Sequence, residues 1–278
     1  MSAGARSWAW LRHHALPIYA VLATAYLLIP IVVIAVFSFG NTPKDKLTFG
    51  LDDGFTLEYW RTMFSLPELN EALVTSLELA AISTLIATAI GTAMAIALVR
   101  HHFRGRHLAN LLIVIPMATP EVVIGAALLS MFVYAQLALG FTTLMIAHVM
   151  FSISFVVVVV RSRLIGFDRN LEEAAADLGA TPLQTFRLVT LPLIGPGVIA
   201  AAMLAFALSI DDFVISNFNS GITVTFPLYV YGVSLRGIPV QVNAIATLLF
   251  LVASLAAIAV MAQQRRAEKM AAVAPETP

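Results

Sequence analysis

The sequence predicts an all-α polytopic membrane protein with six transmembrane helices. Apolar residues make up 60% of the 278-residue chain and charged residues only 12%, against about 25% charged in a soluble domain. Mean hydropathy is +0.90. The apolar residues gather in six runs, at 17–39, 72–99, 108–135, 141–160, 193–217 and 242–262, each long enough for a hydrocarbon core of ~30 Å. A formal net charge of zero argues against a nucleic-acid partner. The absence of cysteine excludes disulfides, thiolate metal sites and a cysteine nucleophile.

Arg6 and Arg12 precede the first run, as in a signal peptide. The run reaches about 34 Å at ~1.5 Å per residue, too long for a signal h-region, and no convincing small-residue cleavage site follows, so a retained span is expected. Between the first two runs, 40–71 carries Gly, Pro and Asp punctuation with Tyr59, Trp60 and Phe64. A solvated loop with a short interfacial helix around 56–65 is expected, since Trp and Tyr favour that level; contact with a binding protein is the alternative. The second run is rich in small residues (Ala80, Ala81, Ala87, Ala89, Gly91, Ala93), as close helix packing in lipid requires.

The third run is interrupted by Pro116-Met117-Ala118-Thr119-Pro120-Glu121. Two prolines four apart remove backbone donors and predict a kink or break at membrane depth, which survives only where protein or a water-filled cavity covers it. Thr119 as N-cap and Pro120 at the first helical position would place Glu121 in the first turn, facing the helix dipole. A place in a solute path is the second, compatible reading. His148, in the fourth run with Ser152 and Ser154, is expected to hydrogen-bond a neighbouring helix. Val156 to Val160 face lipid or core, and Arg161 and Arg163 mark the membrane surface.

Between the fourth and fifth runs, 161–192 is a polar helix–turn–helix. Asn170 can cap a short helix, with Glu173 three residues later completing a capping box. Ala174, Ala175 and Ala176 give high helix propensity and little bulk. Gly179 supplies a left-handed stop. Thr181, Pro182 and Gln184 open the next helix with a second box. A small helix with a smooth Ala face suits docking into another protein. The fifth run ends in Leu208-Ser209-Ile210-Asp211-Asp212-Phe213. Acids within a span usually mark a path or a pair, and neighbours ~100° apart on a helix cannot both face one ligand. A path-lining or cation-binding role is expected for at least one; an interface-facing acid is the alternative. After the sixth run, 263–278 is polar.

With a cytoplasmic N-terminus, Arg6, Arg12, Arg100, Arg104, Arg106, Arg161, Arg163, Arg169, Arg187, Arg265, Arg266 and Lys269 fall inside, against Lys44, Lys46, Arg61 and Arg236 outside. The positive-inside rule therefore places both termini and the 161–192 loop in the cytoplasm.

Glu173-Ala174-Ala175, three residues, Gly179 and then Val189-Thr190-Leu191-Pro192 resemble the EAA loop of the permease subunits of binding-protein-dependent ABC importers. Val189 stands where that family commonly has Ile. The resemblance implies a MetI-like ABC importer permease fold in a bacterial cytoplasmic membrane, with 1–70 as N-terminal tail, first helix and outer loop. It further implies a five-helix core at 71–262, interrupted by the coupling loop 161–192, and a cytoplasmic tail at 263–278. Implied partners are a second permease subunit in a heterodimer, two cytoplasmic ATP-binding subunits and an extracytoplasmic solute-binding protein. No GxxxxGK[ST] loop occurs, so no cofactor is expected in this chain, ATP and Mg belong to the partners, and the chain is not expected to be an enzyme. Implied ATPase-coupling residues are Glu172, Glu173, Ala174, Ala175 and Gly179: Glu173 for a polar contact, the alanines for close approach, Gly179 for the turn.

A second stretch, Leu208 to Ser216 with Phe218, Gly221, Phe226-Pro227-Leu228, Tyr231 and Val242-Asn243-Ala244-Ile245-Ala246-Thr247, resembles the spermidine/putrescine permeases of the PotC type. Glu121 also falls where that group has an acid after a proline. Val240-Gln241 departs from the Pro-Glu usual there. The resemblance implies a path for a small cation, with Glu121, Asp211, Asp212, Phe213 and Tyr231 as candidate lining. Importers for phosphonate, iron or another small solute share the loop and are the alternative. An intramembrane aspartyl hydrolase needs carboxylates converging from different helices, unlike adjacent Asp211 and Asp212. A stand-alone channel or carrier needs no EAA loop and commonly shows internal repeats.

Overall fold

Helices form every extended element among the described residues, since backbone groups in hydrocarbon need partners within their own segment. The computed structural model describes residues 3–40, 54–166 and 168–273, with side chains at 15–262 of these. Residues 41–53 of the expected outer loop and 274–278 of the tail lie outside the described residues, as do the side chains of Arg6, Arg12, Arg265, Arg266 and Lys269.

The chain divides into two compact units, Met1–Pro67 with Val233–Pro278, and Glu68–Gly232. In the first, α1 (Ala3–Phe37) packs against α12 (Val240–Val273). The apolar window of α1 within Ala15–Phe37 buries none of its side chains, as a helix facing lipid or a partner would not. The ends of the outer loop are pinned by a bridge between Gly40 and Phe55. The expected interfacial helix is a single turn, α2 (Glu58–Arg61). Its Trp60 ring stacks on Phe39 at 5.3 Å, and the indole N–H donates to Ser38 Oγ at 3.2 Å.

The second unit is built on α3 (Pro67–Arg100), α6 (Phe141–Ile165) and α9 (Leu191–Ile210). Its larger apolar core joins Ala87, Ala95 and Leu98 of α3 to Val156, Val160 and Leu164 of α6 and to Ile194, Ala201 and Ala205 of α9. The small-residue face of α3 permits this. A Cβ at Gly91 would stand 2.6 Å from Val156 Cγ1, so any larger residue would push α3 off α6. The valine run sits mainly in this core, with only Val158 markedly exposed.

The third apolar run is not one kinked span. It folds into two half-helices, α4 (Arg106–Ala118) and α5 (Glu121–Tyr134), bent by 113°. Thr119, before proline, is extended at φ −89°, ψ 134°, the conformation proline imposes on its predecessor. The expected Thr119 cap is not made. Its hydroxyl donates back to Ile115 O at 2.7 Å, closing α4, and Pro120 itself precedes α5. At ~1.5 Å per residue each half reaches only about 20 Å, short of a bilayer core.

The fifth span also differs. It starts within the polar 161–192 loop, where α8 (Pro182–Thr185) leads through a π-helical turn at Phe186–Thr190 directly into α9. It ends at Ile210, before the acids; α10 (Val214–Asn219) and α11 (Phe226–Ser234) follow. Counting the bent pair as one, six apolar stretches are long enough to cross a membrane.

Candidate functional site

Two regions carry the expected functional residues. The first is the polar loop 161–192. Helix α7 (Asn170–Asp177) begins at Asn170, so Asn170 is not its cap; the N-cap is Arg169, which makes no side-chain bond, and Asp168 Oδ1 accepts from Asn170 N at 3.0 Å. Two competing Asx residues lie within one turn, and the earlier one reaches the free N–H. Gly179 adopts φ +88°. Around it, Ala180 N donates to Ala175 O at 3.0 Å and Gly179 N to Ala176 O at 2.9 Å, the double bond pattern of a left-handed helix stop. The second capping box forms as expected: Gln184 Oε1 accepts from Thr181 N at 2.8 Å, and Gln184 N donates to Thr181 Oγ1 at 3.4 Å.

The two glutamates diverge. Glu173 is exposed and pairs only with Arg169, one turn earlier on the surface. Glu172 is turned inward, its Oε2 3.0 Å from Arg100 Nε and its Oε1 accepting from Thr190 Oγ1 at 2.7 Å. Ala174 is exposed and Ala175 half-buried. Leu178, unnoticed in the sequence, is 90% exposed at the tip of the loop. Its signal was available: a leucine between Asp177 and Gly179 has no core to enter.

The second region lies where α9 breaks. Its acids also diverge. Asp211 is exposed, while the Asp212 side chain is 6% exposed. Asp212 caps α10: Oδ1 accepts from Ile215 N at 3.2 Å, and Oδ2 accepts from Ser216 N and from Ser216 Oγ, each at 2.8 Å. His148 of α6, itself buried, brings Nε2 to 3.4 Å from the same oxygen and 3.0 Å from Ser216 Oγ. Its Nδ1 lies 2.7 Å from Ser209 Oγ, which lies 3.1 Å from Ser83 Oγ on α3. The contacts run as one chain from Ser83 through Ser209, His148 and Ser216 to the Asp212 carboxylate. The chain ties α3, α6, α9 and α10 and leaves that carboxylate amply hydrogen-bonded. His148 thus bonds neighbouring helices, as expected; its acidic partner could have been found by asking which buried acid can answer a lone imidazole in an apolar helix.

Glu121 joins this region through packing of α10 on α5. A Cβ at Gly125 would meet Phe218 Cδ2 at 2.7 Å, and Asn219 Nδ2 donates to Gly125 O at 3.3 Å. Glu121 is exposed in the first turn of α5, within electrostatic reach of both Asp212 and Asp211. Phe213 and Tyr231 form a tilted aromatic pair at 4.7 Å, with Tyr231 about half exposed. The three acids are therefore within electrostatic reach of one another, Asp212 buried as the support and Glu121 and Asp211 exposed, while Phe213 next to Asp212 pairs with half-exposed Tyr231. Among the described residues no group of three or more His, Asp or Glu is placed to hold a metal ion.

This architecture matches known transport proteins. Over 94% of this chain and 99% of the other, it is similar to a permease chain in the crystal structure of a bacterial ABC transporter involved in the import of the acidic polysaccharide alginate, with a TM-score of 0.66 at 17% identity. That likeness shows the fold. In sequence the chain is 37% identical to the spermidine/putrescine transport system permease protein PotC of Haemophilus influenzae, over 81% of this chain and 86% of that protein. It is 36% identical to the putrescine transport system permease protein PotI of Escherichia coli, over 82% and 83%. Residues 87–268, from the middle of α3 into the last turns of α12, match the family described as binding-protein-dependent transport system inner membrane component. A multi-pass helical chain with an EAA-type loop, a broken third span and this match is a transport permease of the ABC importer type, and it belongs to that family.

Proposed function

We propose that this chain forms half of the translocation pathway for a small polycation, spermidine- or putrescine-like, driven by ATP hydrolysis in partner subunits. What carries the reading is the acid region: Glu121 and Asp211 are accessible and within electrostatic reach of each other, Phe213 two residues from Asp211 pairs with Tyr231, and none of the four apolar runs from 108 to 262 contains a Lys or Arg. An anion would be repelled there. A polyamine could pair its spaced ammonium groups with the carboxylates and lay its methylenes and charge on the rings. The names of relatives at 36–37% identity support the same solute class.

In this reading a second, different permease completes the path, an extracytoplasmic binding protein delivers solute, and two cytoplasmic ATP-binding subunits supply the energy. The exposed Glu173, Ala174 and Leu178, with the turn at Gly179, meet the ATPase. The importer sits in a bacterial cytoplasmic membrane with both termini inside.

In a reconstituted importer, Asp211→Asn and Glu121→Gln keep folding and membrane level, and at least one lowers uptake of labelled spermidine or putrescine about tenfold, the loss of ~1.4 kcal/mol of charge pairing. The binding protein's affinity stays unchanged. Transport of a neutral or anionic solute indifferent to both changes would exclude the polyamine reading and leave the importer class intact.

Orientation is testable because the chain has no cysteine. A single Ile222→Cys, 96% exposed, reacts with a membrane-impermeant thiol reagent in intact cells. Leu178→Cys reacts only after the membrane is opened. Labelling of Leu178→Cys from outside would reverse the topology and remove the ATPase contact.

A further inference from the structure

Helix α7 has eight residues and buries none of its side chains. An isolated helix of that length is unstable in water, and one that must pass on a displacement needs a rigid attachment. Apolar packing does not supply it. The Glu173–Arg169 pair lies within the loop, on its surface. The attachment is Glu172, whose two oxygens are used separately. Oε2 meets Arg100 Nε at 3.0 Å, with the side chains only 14% and 17% exposed. Oε1 accepts the hydroxyl of buried Thr190 at 2.7 Å.

The two partners are placed at the ends of different spans. Arg100 is the last residue of α3, and Thr190 is the last residue of the π-helical turn that runs into α9. That turn is closed by Leu191 N donating to Phe186 O. Such wide turns recur at functional positions because the extra residue re-aims the side chains that follow. Here the turn ends on the hydroxyl that meets Glu172. One carboxylate of α7 therefore holds the cytoplasmic ends of the second and fifth spans at once. Arg161 Nη1, donating to Asn110 Oδ1 at 2.9 Å, ties α6 to α4 nearby but does not touch α7.

We infer that Glu172, Arg100 and Thr190 form a clasp through which a displacement of α7 moves the second and fifth spans together. Glu172 is a positioning residue rather than a contact for the ATPase. This rests on the importer reading above, in which α7 receives the ATPase's motion, and it adds that transmission is polar and divided between two spans by one side chain.

The test uses the assembled importer: this chain, its partner permease, the two ATP-binding subunits and the binding protein. Ile199→Cys on α9, 57% exposed, reports movement of the fifth span as a change in labelling when vanadate traps ATP. Leu85→Cys on α3, 71% exposed, reports the second span. In these backgrounds Glu172→Ala reduces the ATP-dependent labelling change at both positions about tenfold, the scale of a lost coupling contact. The ATP-binding subunits still co-purify and hydrolyse ATP. Glu172→Gln, which keeps an acceptor for Thr190 but loses the charge, gives an intermediate loss. The exchange Arg100→Glu with Glu172→Arg restores the response at Leu85→Cys to within about threefold of the parent.

Should Glu172→Ala fail to reach the membrane, the glutamine variant and the exchange carry the test. Variants that respond like the parent overturn the clasp. So does loss of the ATP-binding subunits from Glu172→Gln, which would make the residue a direct ATPase contact. A parent importer that assembles but shows no response to ATP removes the importer reading and the clasp together, and is told apart by the parent alone.

Discussion

Asp212→Asn destabilises the purified permease, whereas Asp211→Asn leaves its thermal midpoint within about 1 °C, as for most exposed substitutions. The adjacent aspartates have opposite surroundings. Asp212 accepts from two backbone N–H groups and one hydroxyl with both its oxygens, beside His148. Asparagine turns one of those oxygens into an N–H₂ facing other donors. Leaving such buried groups unpaired costs roughly 1–3 kcal/mol. His148→Leu is more severe, because it removes the imidazole from both Ser209 and Ser216 and leaves two buried hydroxyls without that partner, each at roughly 1–3 kcal/mol. At roughly 2–4 °C per kcal/mol for a chain of this size, the midpoint falls by about 10 °C. The check is a melting curve of each variant in one detergent. Equal midpoints for Asp211→Asn and Asp212→Asn would refute the division of labour between them.

Gly179→Val abolishes uptake while the protein remains in the membrane at its normal level. Space is not the issue, since a Cβ at Gly179 meets nothing within 4 Å. The backbone is. At φ +88° an L-residue carries about 1–2 kcal/mol of strain, and a β-branched one more. The chain relieves it by leaving the left-handed region, which breaks the two bonds that stop α7 and swings α7 away from α8. Gly179→Asn, tolerant of that region, retains most of the uptake. Normal uptake with Gly179→Val would remove the turn from the coupling mechanism.

What could be read from the sequence was local or periodic. Spans follow from unbroken apolar length, the stop at Gly179 from its position after an Ala-rich turn, the box at Thr181 and Gln184 from spacing alone. The break in the third span was announced by its prolines, but its 113° angle was not, nor was the close approach of Phe218, from a distant helix, to Gly125. Asp211 and Asp212 look alike in sequence; the α10 turn that Asp212 caps and His148, brought in from another helix, separate them. Glu172 and Glu173 look alike for the same reason, and distant Arg100 decides between them. The capping position slipped from Asn170 to Arg169, with Asp168 bonding the Asn170 N–H, because local rules name the competing residues and not the winner.

The stretch Pro182–Ile210 is one apolar helix of 29 residues, about 43 Å long at ~1.5 Å per residue. It begins at the Thr181 cap and ends at Asp211. Such a rod is a lever with its handle in the 161–192 loop and its other end at the acids. Tilted by only about 5°, a lever of that length carries its far end through ~4 Å, more than an ammonium–carboxylate contact distance of about 2.8 Å. A displacement too small to unpack the cores around the rod is therefore large enough to make or break the hold on a cation.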